Sequence, residues 1–275
     1  MMTVNYHTHT TRCRHATNTE REYIESAIRN GIKVLGFADH APYIFHGPAY
    51  ENFRDGKYYS NFRMFPEQAE DYFRTLTDLK AEYKNEIEIH IGLECEYYPM
   101  FFEKTYAFWM QFPCEYMILG QHMLDNEIGK YAQGSAAPDA SAERFEDYLR
   151  DVTEGMATGK FLYLAHPDVL HFTGDPAIQT KMDEKLCLAA KTYNVPLEMN
   201  MLGMRLGRHY PRKSFWETAA RVGNRVTIGA DAHCPEVFDD ETSYKKVLQM
   251  ADEAGVRIEY LKLNTILNRK ERGSL

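Results

Sequence analysis

The sequence predicts an α/β protein whose parallel strands close into one barrel. Seven short runs of β-type residues alternate with segments of helical length, an order typical of a parallel sheet covered by helices. Histidine and acidic residues stand at the end of each predicted strand, and a closed barrel brings all of these ends to one mouth. A doubly wound open sheet would show the same alternation but would spread the ends apart. The length of 275 residues suits a single α/β barrel.

The first four units follow from capping signals and residue periodicity. Thr19 and Glu22 form a capping box for the first helix, and Gly31 ends it. Pro66 suits the first position of the second helix, and Glu86–Leu93 alternates apolar and polar residues as a strand does. The predicted strands are Thr3–Tyr6, Lys33–Ala38, Glu86–Leu93 and Tyr116–Gly120, and the helices begin near Glu20, Pro66, Phe101 and Ala142.

Three further units complete the series. Their predicted strands are Phe161–Ala165, Pro196–Met199 and Arg225–Gly229, and their helices lie near Asp183–Thr192, Ser214–Val222 and Asp240–Ala254. No strict repeat, low-complexity tract or Gly/Ser-rich linker divides the sequence. We therefore expect one domain over residues 1–275.

Composition narrows the class of partner. The 40 acidic and 32 basic side chains leave a formal charge of −8, which argues against a general binder of nucleic acid or anionic membranes. The five cysteines form no CxxC pair and no apolar signal segment opens the sequence, so we expect the reduced cytoplasm. We expect no extended nucleic-acid partner and no membrane association.

The strand ends carry residues that bind transition metals. These residues are His7, His9, Asp39, His40, Glu94, Glu96, His122, His166, Glu198, Asn200, Asp231 and His233, with His15 in the loop after the first strand. Imidazole nitrogen and carboxylate oxygen suit zinc, iron or manganese, whereas magnesium and calcium prefer oxygen alone. In an HxH or DxH pair, residues i and i+2 of a strand point to one face, so both reach the same ions. A carboxylate such as Glu94 or Asp231 is able to bridge two cations. The pattern indicates a multinuclear metal site.

The same motifs, in the same order, resemble the PHP (polymerase and histidinol phosphatase) superfamily. The motifs are HTHTTRCRHA, FADHAP, IGLECEYYP, LGQHMLD, AHPD, LEMN and IGADAH, and they run from about Tyr6 to Glu236. The opening from HTH to CRHA and the segment GLECEYYP are similar to the histidinol-phosphate phosphatase branch. The resemblance implies a distorted (β/α)7 TIM-like barrel that holds two or three divalent metal ions (Zn, Mn or Fe).

The resemblance also implies a grouping of the ligands. The first metal would be held by His7, His9, Glu94 and Asp231. Glu94 would bridge to a second metal, completed by His122 and His166. The third metal would be held by His15, His40 and His233, with Asp231 close enough to bridge.

The resemblance extends to substrate-binding residues. Arg205, in the segment GMRLGRHYP, matches the place where the family has an arginine facing the substrate phosphate, and Arg208 is the second candidate. A guanidinium offers phosphate oxygens a bidentate fork. Glu96, Glu198 and Asn200 are interpreted either as supports of the metal ligands or as contacts to a substrate ammonium group. The catalytic residues implied are Asp231, His233 and Arg205.

The expected function is that of a metal-dependent phosphomonoesterase in histidine biosynthesis. It would hydrolyse L-histidinol phosphate to L-histidinol and phosphate by attack of a metal-bridging hydroxide, because metal lowers the pKa of water from about 15.7 toward about 7. The alternatives are a phosphodiesterase or nuclease, a phosphotyrosine-protein phosphatase, or a non-catalytic metal-binding module. The charge of −8 counts against a nuclease. The aromatic segment Pro42–Phe65 is either a cover over the mouth, which counts against a protein phosphatase, or ordinary packing.

Overall fold

The structure describes residues 2–45, 62–127 and 134–263, and in these residues six strands and eight α-helices follow one another, mostly in alternation. The structure is a computed structural model. The strands are β1 (Val4–Asn5), β2 (Val34–His40), β3 (Glu88–Cys95), β4 (Tyr116–Leu119), β5 (Leu197–Asn200) and β6 (Val226–Gly229). The helices are α1 (Glu20–Arg29), α2 (Ala69–Glu82), α3 (Phe102–Trp109), α4 (Ala142–Ala157), α5 (Pro176–Thr192), α6 (Met201–Arg205), α7 (Lys213–Val222) and α8 (Glu241–Ala254).

The strands lie in parallel and in sequence order around the barrel. Strands β1 to β4 form one set, and β5 and β6 form another. Leu164 joins the two sets, because it forms parallel bridges to Leu119 of β4 and Leu197 of β5. The prediction of a regular strand at Phe161–Ala165 is therefore wrong in detail. The segment takes the fifth place in the barrel through single bridges, since the chain leaves extended geometry at His166, whose φ is 30°.

Residues far apart in the sequence close the barrel. Thr8 forms a parallel bridge to Ala232, whose amide donates to the carbonyl of His7 (3.1 Å). We call this junction between the β1 and β6 ends of the sheet the seam. Strand β1 is only two residues long, so the side chain of Asn5 adds hydrogen bonds to the seam. Its Oδ1 accepts from the amide of Ala230 (2.9 Å), and its Nδ2 donates to Oγ1 of Thr8 (2.8 Å). The predicted α/β class and distorted (β/α)7 barrel are confirmed.

Helix starts follow local capping chemistry. Helix α1 begins with the predicted capping box, in which Thr19 and Glu22 exchange side-chain and backbone hydrogen bonds. Helix α5 begins at Pro176, well before the predicted Asp183, because Asp175 caps it and proline suits the first turn. The short helix α6 corresponds to no predicted element.

The helices surround the barrel and bury large side chains. Trp109, Trp216 and Tyr148 are each fully buried in one apolar core. Among the described helices, none is both long and apolar enough to cross a bilayer. Residues 46–61 of the aromatic segment Pro42–Phe65 lie outside the described residues, so a cover over the mouth stays a prediction.

We expect Asn5→Ala to lower the free energy of unfolding by about 2–4 kcal/mol. The change leaves the buried amide of Ala230 without its acceptor and removes the side-chain bond to Thr8 at the seam. Chemical denaturation followed by circular dichroism measures the loss. Asn224→Ala is the control, because half-buried Asn224 donates to the carbonyl of Cys187, a bond whose loss costs about 1 kcal/mol. Equal losses in the two variants would contradict a special role of Asn5 in closure.

Candidate metal centre

The nine predicted metal ligands come together at the mouth formed by the C-terminal ends of the strands. They follow β1 (His7, His9, His15), end β2 (His40), lie in β3 (Glu94), follow β4 (His122), follow the fifth strand position (His166) and follow β6 (Asp231, His233). His7, His9 and Glu94 are at most 1% exposed, whereas His15 lies at the exposed outer edge. The site is therefore deep on one side and open on the other.

Glu94 lies in the middle of the imidazoles. Its Oε1 is 2.9 Å from Nε2 of His166 and 3.4 Å from Nε2 of His7. Its Oε2 is 3.1 Å from Nδ1 of His40 and 3.5 Å from Nε2 of His9. The two oxygens of this one carboxylate therefore face different rings, and the carboxylate would be able to contact more than one ion if metals were bound.

Asp231 holds a second central position. Its Oδ1 is 3.1 Å from Nε2 of His9, 3.3 Å from Nδ1 of His233 and 3.5 Å from Nε2 of His7. Its backbone is left-handed, with φ of 48°, a conformation that aspartate tolerates better than most residues. The turn after β6 thereby directs this carboxylate toward the same rings that surround Glu94.

The donor atoms form sets that overlap the grouping implied by the resemblance but do not reproduce it. Sets whose donor atoms lie within 4.8 Å of one another include His7 with His9 and Glu94, His7 with His166 and Asp231, and His9 with His40 and His233. His9 thus lies beside the ligands predicted for the third metal, His15, His40 and His233. The rings of His9 and His233 are stacked, with their centres 4.1 Å apart. The thiol of Cys13 lies within the same distance of His15 and His233. Sequence reasoning missed Cys13 as a neighbour, although its place two residues before His15 was a signal.

Buried carboxylates behind the rings determine which nitrogen faces the centre. The pairs are His7 Nδ1 with Glu198 (2.8 Å), His9 Nδ1 with Asp39 (3.4 Å) and His122 Nδ1 with Glu96 (3.2 Å). A carboxylate partner keeps a proton on Nδ1 and leaves the lone pair of Nε2 for a metal. The sequence placed Asp39 among the strand-end candidates but gave it no position in the ligand grouping, and the structure places it behind His9.

Several buried donor atoms at the mouth have no hydrogen-bond partner within the described residues. They are Nε2 of His7, His9 and His233, Nδ1 of His40 and His166, Oε2 of Glu94 and Oδ1 of Asp231. Buried polar atoms are normally hydrogen-bonded, so a converging set of such atoms is typical of a metal site. This mixture of nitrogen and oxygen donors suits zinc, manganese or iron. The residues present therefore fit a divalent metal centre.

The buried carboxylates and imidazoles of the site shift one another's pKa values. Burial alone would raise the pKa of Glu94, but His122 and other nearby imidazoles outweigh burial and lower this pKa well below its usual range. Burial alone would lower the pKa of His9, but the nearby carboxylates of Asp231, Asp39 and Glu94 raise this pKa to about 9. A proton on His9 thus offsets the carboxylates in the metal-free protein. A cation bound here would displace that proton.

A cavity of about 410 Å³ opens beside these donors. Its wall includes the candidate ligands His15, His40, His122, Asp231 and His233, the apolar side chains of Phe62, Met123, Val169, Leu202 and Leu206, and the polar side chains of Arg208 and Tyr210. Small-molecule sites have this size and this combination of apolar walls with a few polar groups. The cavity therefore suits a small organic ligand in contact with the metal centre.

The two predicted arginines lie at the end of α6 and just after it. Arg208 lines the cavity and donates from Nη1 to the hydroxyl of Tyr210 (3.1 Å). Arg205 is half-buried beside Cys234, and its Nη1 has no hydrogen-bond partner among the residues that the structure describes. A buried guanidinium nitrogen of this kind suits an anionic ligand.

Glu96 and Asn200 lie behind the ligands and outside the described wall of the cavity. Glu96 is 1% exposed and contacts His122. Asn200 is fully buried; its Nδ2 donates to Glu198 (2.8 Å) and to Asp231 (3.0 Å), while its Oδ1 caps α6. Of the two interpretations made from the sequence, the geometry favours support of the metal ligands over contact with a substrate ammonium group.

Two glycines leave space for the buried carboxylates. A Cβ atom on Gly120 would overlap the carboxylate of Glu94, and one on Gly229 would overlap the carboxylate of Glu198. Space, rather than an unusual backbone conformation, is therefore what these two positions require of glycine.

Comparison with known proteins agrees with this arrangement. The PHP domain family matches residues 5–202 of the chain. A protein of Deinococcus radiodurans named "Probable histidinol-phosphatase" is 27% identical over 246 residues, which cover 83% of this chain and 85% of that protein. The histidinol-phosphatase of Bacillus subtilis is 31% identical over 103 residues, which cover 37% of this chain and 36% of that protein.

A solved structure shares the fold. Histidinol phosphate phosphatase of Lactococcus lactis, complexed with zinc, L-histidinol and phosphate, matches with a TM-score of 0.70 at 19% identity. The match covers 93% of this chain and 95% of that one. The family match itself extends from β1 into α6, over more than half of the sequence. The chain therefore belongs to the PHP domain family.

Proposed function

We propose that this protein is a metal-dependent phosphomonoesterase that hydrolyses L-histidinol phosphate to L-histidinol and phosphate in histidine biosynthesis. The observation that carries the proposal is the cavity of about 410 Å³, in whose wall five candidate metal ligands and the guanidinium of Arg208 lie together. The names of the Deinococcus radiodurans and Bacillus subtilis relatives support the choice of substrate.

The proposal assigns two or three divalent ions, of zinc, manganese or iron, to the mouth of the barrel. The residues that would hold them are His7, His9, His15, His40, Glu94, His122, His166, Asp231 and His233. When bound, such ions supply a nucleophile at neutral pH and neutralise phosphate charge. Because these residues come from strand ends along the whole barrel, we propose that residues 1–275 form one hydrolase domain. The cytoplasmic location and the small phosphate ester as partner stay predictions.

The side chains of this protein would bind the substrate and move its protons. Arg205 and Arg208 would hold the phosphate oxygens, because guanidinium groups pair with phosphate in a bidentate way. Asp231 lines the cavity 3.3 Å from Nδ1 of His233, and this pair would accept a proton from water or return one to the leaving oxygen. Val169 and Leu202 provide apolar wall against which the carbon skeleton would pack.

Removing divalent metal with a chelator should reduce phosphate release from histidinol phosphate to background, and adding Mn²⁺, Zn²⁺ or Fe²⁺ should restore it. The reason is that the mouth presents nitrogen and oxygen donors with no partner among the described residues. The measurement is released phosphate, with histidinol phosphate, phosphotyrosine and a short oligonucleotide as parallel substrates. Full turnover by exhaustively metal-free protein would contradict the mechanism, and preference for either of the other substrates would contradict the assignment of substrate.

We expect Arg205→Gln and Arg208→Gln each to lower kcat/KM for histidinol phosphate by about 10–150-fold. A hydrogen bond to a charged group contributes about 1.5–3 kcal/mol, which corresponds to that range. Arg221→Gln is the control, because Arg221 is an exposed cation on α7 outside the described wall of the cavity. An unchanged kcat/KM in one variant removes that arginine from the phosphate site, and unchanged values in both overturn the assignment.

Gly120→Ala should weaken Zn²⁺ binding by at least about 10-fold, because the new methyl group displaces the carboxylate of Glu94. Competition with a chromogenic chelator measures the affinity. The matched control is Gly134→Ala, where a methyl group would make only ordinary contacts, at 3.5 Å from the carbonyl oxygen of His122 and 3.7 Å from the sulfur of Met123. Equal affinities of the two variants would show that the space at Gly120 is not needed for metal binding.

A further inference from the structure

A buried cation lies behind the metal centre, in a part of the molecule that the proposed reaction does not use. The side chain of Arg63 is 2% exposed. Its Nη2 forms an ion pair with Glu127 and lies 3.4 Å from Oε2 of Glu96. The hydroxyl of Tyr98 donates to the same oxygen of Glu127 at 2.6 Å. Burial of a guanidinium is costly even when it is paired, so this position is poorly explained by stability alone.

Glu96 connects Arg63 to the candidate ligands. One carboxylate oxygen, Oε2, faces Arg63, while the other, Oε1, is 3.2 Å from Nδ1 of His122. The opposite ring nitrogen of His122, Nε2, is 3.6 Å from Oε1 of Glu94. A continuous line of contacts thus runs from Arg63 through Glu96 and His122 to the centre of the metal site.

Glu127, in the loop after β4, also contacts the guanidinium of Arg63. Its backbone has φ of 62° and that of Asn126 has φ of 52°, so two successive residues are left-handed. This conformation crowds the Cβ atom of a glutamate and persists only where surrounding contacts hold it. The ion pair with Arg63 and the hydrogen bond from Tyr98 are such contacts. The loop that carries His122 is therefore anchored through Arg63 as well.

Aromatic rings enclose the guanidinium. It lies 4.8 Å from the ring centre of Tyr43 and 4.5 Å from that of Phe62. Tyr43 also donates its hydroxyl to the carbonyl of Glu96. Phe62 lines the cavity and packs edge-on against the ring of His40, with 5.8 Å between the two ring centres. The cation thus lies among aromatic rings, between the cavity wall and the residues around Glu96.

We propose that Arg63 is a positioning residue for the metal centre. Its guanidinium forms an ion pair with Oε2 of Glu96 and thereby positions this carboxylate. The other oxygen, Oε1, then keeps the proton of His122 on Nδ1 and directs Nε2 of His122 toward Glu94. The inference rests on the proposed function, because it needs the mouth to be a metal site. Removal of a group that contacts a metal ligand directly, as Glu96 contacts His122, changes metal affinity by about 10–100-fold. Arg63 acts through Glu96, so we expect an effect at the lower end of that range.

The test compares Arg63→Met with the double variant Arg63→Met/Glu127→Gln, using the full chain after removal of its metals. Zn²⁺ affinity by competition with a chromogenic chelator is the main readout, and thermal unfolding is recorded for each protein. We expect Arg63→Met to lose about 10-fold in affinity and also to lose stability, because Glu127 is left buried without its cation. The double variant should recover stability but not affinity, since Glu96 still lacks its partner. Arg225→Met, which breaks an ion pair with Glu259 at the opposite end of the barrel, is the control and should keep its affinity.

Three outcomes would be informative. Recovery of affinity together with stability in the double variant would overturn the proposal, because Arg63 would then act only on the fold. Unchanged affinity in Arg63→Met would overturn it as well. If the affinities follow the expected order but the wild-type protein releases no phosphate from histidinol phosphate, the positioning role of Arg63 stands and the proposed function fails.

Discussion

A carboxylate buried among imidazoles is the constraint on which the mouth of this barrel depends. Glu94 is 1% exposed, and five rings approach it within 3.6 Å. A charge in such a place is tolerated only when groups of opposite charge or strong hydrogen-bond donors surround it. Each ring must therefore present the correct nitrogen, and this requirement extends outward to the residues behind the rings.

The residues behind the rings form a second layer that is itself supported. The outer carboxylates are Asp39, Glu96 and Glu198, and their own partners are Thr10, Arg63 and Asn200. Each carboxylate is buried, so the loss of its partner would leave a buried charge unpaired and would destabilise the protein. The glycines at 120 and 229 serve the same arrangement by leaving space for carboxylates. Polar residues that would not touch a metal or substrate are thus as much a part of the site as the residues that would bind one.

Much of this arrangement could be predicted from the sequence, because the information is local. The alternation of elements, the capping box of Thr19 and the metal-binding types at successive strand ends can each be recognised within a few residues. Barrel geometry then gathers the strand ends, so the candidate ligands could be named before their distances were known. The helix α6 was not predicted, because five residues are too few to show helical periodicity.

Other features depend on contacts that one sequence does not reveal. Arg63 stands in an aromatic segment with no periodic pattern, and its partner Glu127 lies 64 residues further along the chain. Nothing near either residue indicates that they meet. The irregular fifth position around Leu164 was equally hidden, because its residues are those of an ordinary strand and only the turn at His166 interrupts the ladder. A contact between distant residues determines the first feature, and the turn of the backbone at His166 determines the second.

The seam of the barrel has a consequence for biosynthesis. Asn5 and Ala230, which meet there, are 225 residues apart in the sequence. A ribosome makes His7 and His9 among the first residues of the mouth, yet Asp231 and His233 emerge only after most of the chain. Until then the early histidines lack the carboxylate that they face in the finished barrel. A nascent chain therefore cannot offer a metal the complete set of donors until His233 has been made and the barrel has closed.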